Sequence, residues 1–129
     1  MDMNGMFAAW MAMRLIDGSA YREIHKLDFL LEQAGIPHEM ASHMMGGFQL
    51  VYYGPQGKPQ YGSFIQFYGM GAVCSVMETP YSVGYQNDRL ELSGLLTPEE
   101  RTMGLVKGDL TAEDVFGRIR AHWLANGGK

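Results

Sequence analysis

The sequence predicts an α+β fold: an antiparallel sheet of three to five strands, with N-terminal helices and a C-terminal helix packed on one face. Three observations predict it. Residues 72–96 carry two alternating runs, 73–77 and 90–93, on either side of a polar, aromatic loop over 79–88, which is the pattern of a β-hairpin. Stretches of helical character stand at both ends of the chain. The connections between the central segments are short and rich in glycine, which favours a meander of adjacent strands. A chain of 129 residues falls within single-domain size. Residues 1–129 are therefore expected to form one domain, with 1–18 as an apolar helical extension.

In chain order, residues 6–16 are strong helix formers and apolar on nearly every side, with Arg14 their only charge. Such a helix requires cover on several faces, and a contact with another subunit is expected here. A homo-oligomer held through this N-terminal helix follows; burial in the chain's own core is the competing reading. A second helix is predicted over 20–34 with Ser19 as N-cap, a core stripe of Ile24, Leu27, Leu31 and Ala34, a stop at Gly35 and Pro37 beyond it. Residues 47–53 read as a strand with Phe48, Leu50 and Tyr52 on one face and Gln49, Val51 and Tyr53 on the other. A turn over 54–59 leads to a further strand candidate over 61–68. After the hairpin, Thr97, Pro98 and Glu100 form a capping box for a short helix that ends before Gly104. Residues 105–108 add a short strand or cross the sheet. Thr111 to Asp114 then open the last helix, with Val115, Phe116, Ile119 and Trp123 on its core face.

The formal charge of -4 is mild and dispersed, which argues against a grip on nucleic-acid backbones. A single cysteine, Cys74, cannot close an internal disulfide. No leader pattern opens the chain, and no run approaches the roughly 20 apolar residues that span a bilayer. A cytoplasmic protein without membrane contact is expected. The 11 methionines suit either irregular core filling or an adaptable partner surface.

Catalytic patterns are sparse. His25, His38, His43 and His122 are dispersed without metal-ligand spacing, and neither a phosphate loop nor a dinucleotide fingerprint occurs. No metal, cofactor or catalytic residue is assigned. His43 could activate Cys74, but a thiol in the middle of an apolar strand is ordinarily buried and inert. Glu78, Asp88 and Glu91 surround the hairpin and could pair as acid and base, although loop carboxylates are ordinarily solvated.

Aromatic density beside amide and hydroxyl groups is the most distinctive feature. Rings stack on bases, amides read their edges, and an arginine can meet a phosphate. Gln49, Tyr81, Ser82, Tyr85, Gln86 and Arg89 are the candidate ligand-binding residues, with Arg101 and Arg118 as further sources of charge. The competing reading is that the rings simply pack the sheet.

Several pieces of the chain carry a resemblance: Gly46 to Leu50, Cys74 to Val76, Tyr81 to Gly84, Leu90 to Leu96, and Leu110 to Phe116 followed by Arg118 and Ile119. In this order and spacing they resemble small, mostly uncharacterised proteins of phages and prophages of gut Firmicutes. The resemblance spans roughly residues 20–122 and implies a phage setting, in the cytoplasm of an infected bacterial host, rather than a reaction. Residues 6–16 depart from it. The expectation that follows is a counter-defence protein that sequesters a nucleotide-derived immune signal stoichiometrically. The alternative is a protein-protein inhibitor of a host defence effector such as a CRISPR nuclease.

Overall fold

A computed structural model describes residues 21–60 and 68–129 of the chain. The helix expected over 6–16 with its subunit contact, the Ser19 cap, and residues 61–67 of the expected strand lie outside the described residues. Helix α1 (Arg22–Gln33) precedes strands β1 (Glu39–Ser42) and β2 (Phe48–Tyr52). Strands β3 (Cys74–Glu78) and β4 (Leu90–Ser93) form the central hairpin, whose loop holds one turn of 3-10 helix (Tyr85–Asn87). Helix α2 (Pro98–Met103), β5 (Val106–Leu110) and α3 (Ala112–Ala125) complete the order.

Every neighbouring pair of strands is antiparallel, so the sheet runs β1-β2-β3-β4-β5 as a meander. This is the α+β fold expected. Register decides where the core sits: Leu50 lies opposite Val76, and Val76 opposite Leu92, so one apolar row crosses three strands on the inner face. Ile24, Leu27 and Leu31 from α1 and Ala112, Val115 and Ile119 from α3 join that row in one buried cluster. Alternation in β2 places Gln49 and Val51 on the outer face, with Tyr53 just past the strand's end. There the Gly69 N–H donates to the Tyr53 hydroxyl at 3.2 Å, and the Tyr68 hydroxyl donates to the Glu39 carbonyl at 3.1 Å. Tyr68 itself stands in a turn, not a strand. Strand β1, Glu-Met-Ala-Ser, has no alternating pattern of its own and is fixed by pairing with β2.

Both capping boxes are formed. Thr97 Oγ1 accepts from the Glu100 N–H while Glu100 Oε1 accepts from the Thr97 N–H, and Thr111 and Asp114 repeat the exchange on α3. Glu100 has a second role that local patterning does not show. Its two oxygens take the Arg118 guanidinium at 2.6 and 2.7 Å, and Arg118 also donates to the Leu95 carbonyl at 3.0 Å. The guanidinium, with the Thr97 N–H, lowers the Glu100 carboxyl to about 2. Arg118 therefore ties α3 to α2 and is spent on structure, which removes it as a phosphate partner.

Helix α1 starts differently from the expectation. It begins at Arg22 rather than Ala20, and the residue before it, Tyr21, adopts φ 60° and gives no side-chain cap. Ala34, expected in the core stripe, is exposed after the last turn, and Gly35 at φ 71° ends the helix as expected. The stripe of Ile24, Leu27 and Leu31 is joined in burial by Phe29 and by three polar residues, Glu23, His25 and Asp28. Glu23 accepts from the Ala112 N–H of α3, Asp28 meets His38 beyond the helix, and the His25 ring meets Phe48 of β2 while its Nδ1 donates to the Tyr21 carbonyl, contacts that the hydrophobic period does not reveal.

Ile119 is fully buried where α3 meets the sheet, and truncation leaves a cavity there. Ile119→Ala is expected to cost about 2–5 kcal/mol by denaturant unfolding. An unchanged midpoint would place the core elsewhere.

Candidate functional site

The loop between β3 and β4 is built by its carboxylates. Glu78, the last residue of β3, is fully buried, and its Oε1 accepts from the Ile24 N–H of α1 at 3.2 Å. Asp88 Oδ1 accepts from the Glu23 N–H at 3.3 Å. The two side chains thus satisfy adjacent N–H groups in the first turn of α1, the role its own N-cap leaves open. At the far side of the loop, Glu91 Oε1 accepts from the Val83 N–H at 3.0 Å. All three carboxylates considered as an acid-base set are therefore engaged with backbone N–H groups. Glu78 in particular is sealed inside rather than solvated.

Burial, with Asp88 and Glu23 nearby, raises the Glu78 carboxyl to about 9. Its Oε2 is buried without a hydrogen-bond partner among the described residues. Protonation removes the buried charge and relieves the repulsion between Glu78 and the neighbouring Asp88.

Within this frame the loop folds on itself. The Ser82 hydroxyl donates to the Thr79 carbonyl at 2.9 Å and accepts from the Thr79 N–H at 3.0 Å, so it is consumed locally and buried. Gly84 sits at φ 97°, where a Cβ would lie 2.9 Å from Arg89 Cβ and 3.0 Å from the Asp109 backbone nitrogen, so only glycine fits. Asp109 reaches this point because β5 carries one extra residue against β4 between Leu92 and Leu90, and Asp109 itself is at φ 58°.

Between these parts lies a cleft of about 260 Å³ lined by Pro80, Tyr81, Ser82, Gly84, Tyr85, Gln86, Asn87 and Asp109. Four of the six expected ligand-binding residues, Tyr81, Ser82, Tyr85 and Gln86, come together here. Tyr81 is 75% exposed, with its ring available to a guest. Tyr85 is half-buried, its ring 5.7 Å from that of Tyr21, and the two hydroxyls are 3.5 Å apart. That contact with Tyr85 is the largest cause of the rise of the Tyr21 hydroxyl to about 12.

The remaining two residues are placed differently. Gln49 is on the outer sheet face, where its amide donates to Ser75 Oγ at 2.8 Å, and it does not line the cleft. The Arg89 guanidinium donates to the Asn87 and Asp88 carbonyls at 3.1 and 3.2 Å, at the edge of the loop rather than inside it. Asp109, which sequence reasoning missed, is the one charged residue in the lining. Its signal is the bulge, which depends on the β4–β5 register and is not visible in the local sequence.

Cys74 is buried and its thiol is pushed up to about 12 by loss of solvent, which makes it an unreactive core group at neutral pH. His43 Nδ1 accepts from the Met45 N–H at 3.1 Å. No helix among the described residues is long and apolar enough to cross a membrane. Comparison with family models, with curated proteins and with solved structures yields no match.

The raised Glu78 carboxyl gives stability a pH signature. Because the folded value, about 9, exceeds the ordinary value of 4.5, the stabilisation is fully present below pH 4.5 and is lost as pH rises through about 9. Unfolding free energy should therefore fall across that window. Glu78→Gln keeps an acceptor for the Ile24 N–H and cannot ionise, so its profile should lack this component. Parallel wild-type and variant profiles would remove Glu78 as the source.

Proposed function

We propose that this chain is a binding protein that sequesters a nucleotide-derived molecule in the hairpin-loop cleft, in the setting of phage counter-defence. The observation that carries this reading is the convergence of Tyr81, Tyr85 and Gln86 on one concavity, next to Asp109. An exposed ring offers a stacking face, an amide reads base edges, and a carboxylate accepts from ribose hydroxyls or an exocyclic amine. The carboxylates around the loop are tied to backbone N–H groups, which supports capture over turnover.

Size and charge refine the ligand. A cleft of about 260 Å³ is at or below the low end of the roughly 300–1,000 Å³ usual for small-molecule sites, so it takes one base with its ribose. A cyclic dinucleotide would fill two such clefts, one from each of two subunits. Asp109 repels phosphate from the interior, which leaves the phosphate at the rim beside Arg89.

Incubation with a panel of cyclic nucleotides and cyclic ADP-ribose isomers, followed by heat release and chromatography, tests the reading. One ligand should return intact in stoichiometric amount, and retention of none would overturn it. Tyr81→Ala should weaken capture while leaving the unfolding midpoint unchanged, because the ring is exposed. Tyr85→Ala should weaken capture as well, with a small loss of stability from the contact with Tyr21.

A second reading has its own observation. Met103 and Leu105 are 89% and 88% exposed beside an apolar cleft lined by Leu95 and Leu96, a surface suited to a protein partner such as a host effector. In that case Leu105→Asp abolishes inhibition of the effector while nucleotide capture is unaffected.

A further inference from the structure

The C-terminal half of α1 carries a second constellation, apart from the loop cleft. Asp28 and Glu32 are four residues apart and so share one helix face, and the chain returns after Gly35 to bring His38 against them. One ligand atom from each of the three lies within 4.8 Å of the others. All three line a single cleft of about 500 Å³, together with Gly35, Ile36, Pro37 and Met40.

The His38 imidazole is held at both ring nitrogens. His38 Nδ1 donates to the Ile36 carbonyl at 2.9 Å, which fixes the ring and directs Nε2 at Asp28 Oδ1, 2.5 Å away. A backbone carbonyl on Nδ1 is the contact that orients a histidine whose Nε2 takes a metal, and here Nε2 forms an ion pair with the Asp28 carboxylate in the place an ion would take. The His38 and Asp28 side chains are 7% and 11% exposed, so their positions are set by packing, whereas Glu32 is exposed on the adjacent turn.

From this geometry we infer that Asp28, Glu32 and His38 form a binding site for a divalent first-row transition metal, with zinc the best fit. One nitrogen and two oxygens suit zinc, with ligand bonds of about 2.0–2.2 Å. Tetrahedral ligands at that length stand roughly 3.3–3.5 Å apart. The Nε2 to Oδ1 separation of 2.5 Å then widens by about 1 Å as the ion replaces the proton between them, and Glu32 closes by side-chain rotation. Three protein ligands leave a fourth position for water or a guest in the cleft. This site supplements the binding reading above and does not depend on it; it also revises the expectation that the chain holds no metal.

Titration of the full-length, chelator-treated protein with Zn2+ by calorimetry, and with Co2+ by visible absorption, tests the inference. One equivalent per chain should bind, with a tetrahedral cobalt spectrum. Glu32→Gln, which removes an exposed ligand without touching the core, should weaken binding about tenfold or more. His38→Gln should abolish it, with circular dichroism confirming that the variant is folded. His25→Gln and His122→Gln should bind as the wild type does. Absence of binding to folded wild type overturns the inference, as does undiminished affinity in Glu32→Gln and His38→Gln.

Discussion

The first turn of α1 has no side-chain cap from the residue before it, Tyr21, and the structure is organised around supplying one from farther along the chain. Four N–H groups at a helix start lack intrahelical partners, and leaving them buried and unpaired costs more than any single contact nearby returns. Here Glu78 and Asp88 accept from Ile24 and Glu23, so the central hairpin provides the cap. Glu23 in turn accepts from the Ala112 N–H of α3 at 2.9 Å, and Lys26 pairs with Glu113 on the same turn. Hairpin, first helix and last helix are therefore linked through backbone N–H groups, each satisfied by a carboxylate from the preceding member of the series.

That arrangement explains why acidic residues lie in the interior. A fully buried carboxylate with an unpartnered oxygen is expensive, and protonation lowers the cost. Glu78 is raised to about 9 for this reason, and at neutral pH it acts as a neutral, hydrogen-bonding part of the core. The helix start tolerates this because Asp88 supplies a second carboxylate where the macrodipole favours negative charge.

The same loop carries the cleft, so side chains that hold the backbone stand beside side chains left to solvent. Ser82, Asp88 and Glu91 hold the loop through backbone contacts, and Tyr81 and Gln86 are left to solvent. Tyr85 stands between the two roles, since its ring packs on Tyr21 while it lines the cleft. A ligand there would sense the fit between hairpin and α1. Asp28 and Glu32 stand toward the other end of the same helix, where His38 returns against them.

Local rules carried the sequence a considerable distance. The hairpin, the inner-face alternation of Phe48, Leu50 and Tyr52, both threonine caps and the core face of α3 were legible because each depends on neighbours within four residues or on a period of two. The start of α1 was not, because its cap comes from 54 and 65 residues away. For the same reason Glu78 reads as a solvated loop acid and Arg118 as free charge, although one is sealed against α1 and the other is clamped by Glu100. Of the candidate site, Tyr81, Ser82, Tyr85 and Gln86 were accessible because they share one loop; Gln49 was separated from them by strand alternation and Asp109 was added by a bulge. Sequence alone determined the hairpin, the core faces of the helices and the aromatic character of the loop, since these follow from short-range sterics and hydrophobic period, whereas β1 was set by pairing with β2. Only the tertiary structure decided which polar groups are buried and with whom, because a carboxylate's partner is set by where distant backbone N–H groups arrive, and no local pattern encodes that.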